Sequence, residues 1–301
     1  YVLKKVLMMA LTLVVVSVCV FLAFHIIPGD PATRLLGTQG TPAQVEALRE
    51  QMGLNDPLYQ QYFRWFTSFL HGDLGTSYVY SQPVASMLAS KIPITFSLAM
   101  MSFVFMILIS IPLGIYTARH ENGMADRIIM TVNQVIMAIP PFFFGFLITY
   151  FFGMILHLFT PGGFVSFDTS AGGFFAYLIF PAIAIALPKA AMATKLLRGS
   201  VVDEAAKDYT RTAYSRGNTV NGVLYRHVLK NAMIPVITFI GMALADMVAG
   251  SIVIEQVFGI PGISRILLTS ISNRDYTVVE AIIMGIAMLV ILINFLVDVI
   301  Y

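Results

Sequence analysis

Long apolar runs alternate with polar connections along this chain. Six runs stand out: Val6–Ile27, Ile94–Ala118, Ile128–Leu156, Phe174–Leu197, Ala232–Ile254 and Val278–Tyr301. Each is long enough to cross a hydrocarbon core, which needs roughly 20 apolar residues. Backbone groups in lipid must be hydrogen-bonded internally, so the runs predict helices. The first would be about 33 Å long at about 1.5 Å per residue. That exceeds the apolar part of a signal peptide, which is about 7–15 residues. Pro28-Gly29-Asp30-Pro31 follows it in place of a small-residue cleavage site, so it reads as a retained membrane helix. Pro140-Pro141 in the third run predicts a kink or tilt, and Pro181 and Pro188 predict a bend in the fourth.

Two polar connections carry helix signals. In the stretch Pro28–Lys91, Thr41-Pro42 pairs a capping residue with proline at the first helical position. Val45, Leu48 and Met52 then follow at helical spacing. This stretch is too short for a large core of its own and is expected to pack as a cap on the membrane part. In the stretch 200–230, Ser200 and Asp203 form a weakened capping box. Val202, Ala205, Tyr209 and Ala213 predict one amphipathic face, and Gly217-Asn218 ends that helix. Asn218 or Thr219 then caps a second helix through Tyr225 and Leu229. The segment is an ordered pair of helices whose apolar face needs a partner: the protein's own membrane core, the lipid surface or another protein.

Composition agrees with a lipid environment. The chain is 58% hydrophobic and 11% charged, against about 25% charged for a soluble domain. The net charge of +2 matters less than its distribution. With a cytoplasmic N-terminus, the inner segments hold Lys4, Lys5, Arg119, Arg127, Lys195, Arg198, Lys207, Arg211, Arg216, Arg226 and Lys230. The short outer loops then hold only Arg265 and Arg274. In the long outer stretch Arg34, Arg49, Arg64 and Lys91 are balanced by acids. The positive-inside bias therefore predicts both termini inside. The single cysteine, Cys19, excludes an intrachain disulfide and a cysteine-based metal cluster.

Candidate chemistry is sparse. His25, His71, His120, His157 and His227 form no helical pair, so no metal site is expected. No nucleophile–base arrangement stands out. No Gly-x-x-x-x-Gly-Lys-Ser/Thr loop occurs, so the chain is not itself an ATPase. Ionisable groups in lipid usually face protein or water. Asp246, in the middle of the fifth run, either lines a translocation path or pairs with a neighbouring helix or subunit. Asn133, Gln134 and Asn294 serve either as path residues or as interhelical contacts. Lys189 can snorkel to the inner surface. Glu255, Arg265, Arg274 and Asp275 lie near the outer face.

Several motifs in fixed order resemble one family along nearly the whole chain. They are "HIIPGDPA" (His25–Ala32), "LREQMGLNDPLYQQYFRW" (Leu48–Trp65), "HGDLGTSY" (His71–Tyr78), "KIPITFSLA" (Lys91–Ala99) and "IPLGIYTA" (Ile111–Ala118). "DYTRTAYSRG" (Asp208–Gly217), "VLYRHVLKNAMIPVIT" (Val223–Thr238), "IEQVFGIPGISR" (Ile254–Arg265) and "NRDYTVVEA" (Asn273–Ala281) follow. The chain resembles the permease subunits of ABC importers for dipeptides, oligopeptides and nickel. The resemblance also decides the register of the coupling signature, an EAA triplet whose Glu lies six positions before a glycine. Glu204-Ala205-Ala206 stands out of register, because Glu204 lies thirteen positions before Gly217. The triplet six positions before Gly217 is Arg211-Thr212-Ala213, a degenerate form of the kind this family shows. A Glu204→Gln change is therefore expected to do little.

The resemblance implies an all-α membrane protein with six spanning helices and the type I importer permease fold. Residues 1–27 would form the first helix, 28–91 an extracytoplasmic region, and 92–301 the permease core with coupling helices at 200–230. Arg211, Thr212, Ala213, Arg216 and Gly217 would couple to an ATPase, with Ala213 allowing close approach. Asp246, Asn133 and Gln134 would lie on the substrate path. Glu255, Arg265, Arg274 and Asp275 would shape the outer mouth or the receptor-docking surface. Implied partners are a second related permease, two ATP-binding subunits, an extracytoplasmic substrate-binding protein and the lipid bilayer, with no nucleic acid. No cofactor is expected on this chain, and ATP and Mg would sit on the partners. The expected location is the cytoplasmic membrane of a bacterium or archaeon. Short peptides are the expected cargo, with nickel or a metal chelate as the alternative within the same complex. A stand-alone secondary transporter is the rival class, but it has no need of a docking helix. Family members usually continue a few polar or basic residues past the position of Tyr301.

Overall fold

The computed structural model describes residues 2–26, 31–36 and 40–300. Ile27–Asp30, where the first predicted span ends and the outer stretch begins, and Tyr301 lie outside the described residues. The helices are α1 (Val2–Ile26), α2 (Pro31–Leu36), α3 (Pro42–Gln51), α4 (Leu58–Leu70), α5 (Val84–Ala89), α6 (Ile92–Arg119) and α7 (Met124–Ala138). They continue with α8 (Pro141–Ile148), α9 (Ala171–Ala205), α10 (Asp208–Ser215), α11 (Val220–Val223), α12 (Leu229–Phe258), α13 (Ile263–Ser272) and α14 (Tyr276–Ile300). Wider π-helical turns extend α8 through Thr149–Ile155 and join α11 to α12 through Leu224–Val228. Among the described residues, five helices are long and apolar enough to cross a membrane, or six if one bent pair is a single span.

That bent pair is α7 with α8, which meet at 105°. The break is sharper than a proline kink because two consecutive residues leave the helical conformation. Ile139 is extended (φ −87°, ψ 125°), as a residue before proline prefers, and Pro140 follows at ψ 138°. Pro141 then opens α8 at a first-turn position, where its missing N–H costs nothing. By contrast, Pro181 and Pro188 sit inside a continuous α9 of 35 residues.

The chain divides into two compact units. The first is Tyr1–Pro93 with Gly262–Leu292. In it α4 lies along the C-terminal half of α1. Ser17 and Tyr62 share a 2.8 Å hydrogen bond there, and the Phe21 ring meets those of Tyr62 and Trp65. Thr41 caps α3 in a full capping box with Gln44. Val84, Leu88, Val278, Ala281 and Ile282 form an apolar core between α5 and α14. Beside it Asp275, fully buried, accepts hydrogen bonds from the Ser77 hydroxyl and from the backbone N–H groups of Tyr78 and Val79.

The second unit is Ile94–Pro261 with Ile293–Tyr301. Its centre is α9 packed on α12, through small residues at i, i+4 spacing on α9 (Ala182, Ala186, Ala190) in one core with Ala243, Met247 and Ile254. The Tyr177 hydroxyl donates to the Phe258 carbonyl at 2.5 Å, which satisfies an end of α12 in the core. Gly259 turns the chain out of α12 in the left-handed region (φ 66°). A second cluster, including Leu197, Val201, Ala213, Val223 and Val228, sits where α9, α10 and α11 meet.

Candidate functional site

The stretch 200–230 folds differently from its periodicity. Ser200 and Asp203 do not cap a new helix, because α9 runs through both to Ala205. The break comes at Lys207, whose backbone is extended (φ −72°, ψ 154°), and α10 starts at Asp208. Glu204 therefore belongs to the last turn of the long helix. It is 8% exposed. Its Oε1 accepts from the Tyr209 hydroxyl at 2.7 Å, and its Oε2 pairs with Lys207 Nζ at 2.5 Å. Asn231 of α12 donates to the same Tyr209 oxygen at 3.3 Å. The Glu204 carboxylate raises the Lys207 pKa, and burial followed by the Glu204 hydrogen bond raises that of Tyr209. Glu204 thus has structural contacts that its register alone does not reveal. It is out of register for a docking signature, yet it clamps α9, α10 and α12 together.

Thr210 secures the same corner. Its hydroxyl donates to the carbonyl of Ala205 at the end of α9 (2.7 Å) and to that of Lys207 at the start of α10 (2.6 Å). Ala213 faces inward, 6% exposed, in the cluster with Val201 and Val223. Its close approach is therefore internal rather than toward a partner. Arg211, Thr212, Tyr214 and Arg216 lie on the exposed side. Arg211 makes only a loose 3.5 Å pair with Asp208, with both side chains almost fully in solvent. Gly217 takes φ +82°, and Asn218 closes the turn by donating its side-chain N–H to the Ala213 carbonyl at 3.0 Å. Thr219 then caps α11 by accepting from Gly222 N–H at 3.2 Å. The result is a short helix with one face anchored to two membrane helices and the other, which carries Arg211, Tyr214 and Arg216, exposed.

The polar residues of the spans are dispersed. Asp246 of α12 pairs with Lys189 of α9 at 2.6 Å, and their side chains are 63% and 31% exposed. Lys189 therefore points across to α12 rather than along its own helix to the surface. Gln134 accepts from Lys195 at 3.4 Å. Asn133 is buried in an apolar crevice of about 180 Å³ among Ile129, Leu187 and Ala190, with its Nδ2 unbonded. Asp126 of α7 and Arg198 of α9 form a two-pronged pair, both contacts at 2.7 Å, with Asp126 only 3% exposed. Sequence reading missed this pair, and its one signal was an acid and a base in adjacent predicted inner segments. Two of the outer candidates are not at the surface at all. Glu255 is fully buried and accepts from Thr95 at 2.5 Å, and Asp275 is the buried acceptor described above. Arg265 and Arg274 are exposed, with Arg274 in the left-handed region (φ 55°).

Residues 110–301 match the binding-protein-dependent transport system inner membrane component, and residues 1–99 match the N-terminal region of such membrane components. The chain belongs to this permease family. It is 32% identical to a probable peptide ABC transporter permease protein of Sinorhizobium fredii, over 100% of this chain and 96% of the relative. It is 36% identical, with the same coverage, to the glutathione transport system permease proteins of Escherichia coli strain K12 and Salmonella paratyphi A. This permease is an inner-membrane component of an ABC importer that works with ATPase and substrate-binding partners. It has the type I importer permease architecture and is not itself an enzyme.

Proposed function

We propose that this permease imports short peptides and forms the translocation path with a second, related permease. Two ATPase subunits, which hold the ATP and Mg, drive it, and an outer binding protein delivers the cargo. The anchored α10, with Arg211, Thr212, Tyr214 and Arg216 on its free side, is the observation that carries this reading. A helix held by Glu204, Tyr209 and Thr210 passes a push from a partner directly to α9 and α12. Exposed arginines suit charge-assisted contacts to an ATPase groove. The relatives named for peptide and for glutathione, itself a tripeptide, support the cargo class.

The basic residues around α10 support a cytoplasmic location for this segment and for both termini. Residues 28–91 then face the binding protein, with Arg265 and Arg274 on the same side. The exposure of the Asp246–Lys189 pair on membrane helices supports its placement on the translocation path, because such a pair needs protein or water beside it. Reconstitution tests the reading. ATP-dependent uptake of a labelled dipeptide into proteoliposomes should require both the ATPase subunits and this chain. Uptake by the chain alone without ATP would overturn it. Arg211→Glu with Arg216→Glu should lose the ATPase subunits on co-purification while the two permeases stay together.

A further inference from the structure

The unit formed by Tyr1–Pro93 and Gly262–Leu292 holds an open cavity of about 750 Å³. That lies within the range of small-molecule sites, about 300–1,000 Å³. Its walls are rich in aromatic rings, including Phe21, Phe24, Trp65, Tyr78 and Tyr276. One acid lines it from the second turn of α14: Glu280, 9% exposed. Glu280 makes no hydrogen bond or ion pair with the described residues. The other charged groups of the wall are engaged. Arg64 pairs with Asp56, Arg49 donates to Asn55, Asp73 accepts from Gly75 N–H, and His25 bonds to the Phe21 carbonyl and Gln61. The Tyr78 hydroxyl is hydrogen-bonded to the Thr277 side chain, and burial pushes its pKa up.

A carboxyl group withdrawn from water favours its neutral form, and a cation inside the cavity would stabilise the charged form instead. Aromatic rings in the same wall suit the same charge. We propose that this cavity binds a primary ammonium group carried on an apolar body, with the ammonium on Glu280 and the body against the rings of Trp65 and Tyr276. Two sources present that chemistry: the free N-terminus of a short peptide, and the ethanolamine headgroup of a membrane lipid. The inference does not rest on the transport reading, because it concerns binding alone.

Trp65 is the only tryptophan of this chain and lines the cavity, so its fluorescence reports occupancy. The assembled importer is placed in nanodiscs of phosphatidylglycerol and titrated with phenethylamine, hydrocinnamate and phenethyl alcohol. A complex carrying Trp65→Phe supplies the background. Phenethylamine should give a saturable change in Trp65 emission, with affinity about tenfold or more above that for the acid and the alcohol. Glu280→Gln should remove that preference. Equal responses to the three probes, or unchanged amine affinity in Glu280→Gln, would overturn the proposal. If Glu280→Gln does not assemble, the charge preference of the unaltered complex decides alone. Competition by Ala-Phe but not by N-acetyl-Ala-Phe assigns the site to peptide N-termini. Weakened amine binding in phosphatidylethanolamine discs assigns it to lipid. No ATP or uptake enters the assay, so a negative result leaves the importer reading standing.

Discussion

The hydroxyl of Tyr209, in the first turn of α10, donates to Glu204 Oε1 in the last turn of α9 at 2.7 Å. This bond closes the corner at Lys207 and fixes the angle between a membrane helix and the helix proposed to meet the ATPase. Glu204→Ala removes the acceptor of the Tyr209 hydroxyl, while Lys207, largely exposed, stays hydrated. It should cost about 1–3 kcal/mol locally. Transport per ATP hydrolysed should fall severalfold while the subunits still co-purify. Glu204→Gln keeps an acceptor for Tyr209 and should show a smaller loss of the same ratio. Unchanged coupling in Glu204→Ala would remove the corner from the mechanism.

Gly217 sits at φ +82° with nothing near the position of a Cβ, so the strain of a substitution there is conformational rather than steric. Gly217→Val should cost about 1–2 kcal/mol and misdirect Thr219 and α11. Uptake should drop while ATPase activity persists. Gly217→Asn, which tolerates this region, should retain most of the uptake. Equal effects of the two replacements would count against a backbone cause.

Asp126 and Arg198 join α7 to α9 through two 2.7 Å contacts with the carboxylate buried. Removing one member leaves the other charge uncompensated, at a cost of about 3–5 kcal/mol. Asp126→Asn should therefore lower the melting temperature measured in detergent clearly more than loss of the exposed Arg211–Asp208 pair does. Arg198→Lys should also lower it, because an ammonium lacks the planar fork that meets both carboxylate oxygens.

Asp275 gathers the Ser77 hydroxyl and two backbone N–H groups of residues 78 and 79. Asp275→Ala should free the 77–80 turn, and hydrogen exchange at Tyr78 and Val79 should accelerate by about tenfold or more. The periodic core of α14 below it should stay protected. Protection unchanged at both amides would show that the turn is held by other contacts.

Lys189 and Asp246 face each other across α9 and α12 at 2.6 Å. Asp246→Lys alone places two cations together and should abolish uptake. Lys189→Asp with Asp246→Lys restores opposite charges and should recover part of it. Uptake by the reversed pair no better than by the single variant would tie function to the individual groups rather than to their attraction.

The sequence by itself determined where the chain meets lipid, because hydrophobicity over about 20 residues is a local and additive property. It also determined the cap of α3 at Thr41 and the turn at Gly217, since capping and left-handed turns depend on neighbours within a few positions. The motif order carried the family, and the register argument moved the proposed docking residues to Arg211 and Arg216. Tertiary structure decided the rest. The periodic face Val202, Ala205, Tyr209 and Ala213 predicted one helix, but Thr210 and Glu204 stabilise a corner inside it through contacts that spacing alone does not reveal. Glu255 and Asp275 read as surface charges because their buried acceptor roles depend on Thr95 and Ser77, distant in sequence. Asp126 met Arg198, and Lys189 met Asp246, only once the helices packed. The pattern of hydrophobicity fixes which segments are helices in lipid, but a buried charge takes its meaning from the partner that packing brings to it.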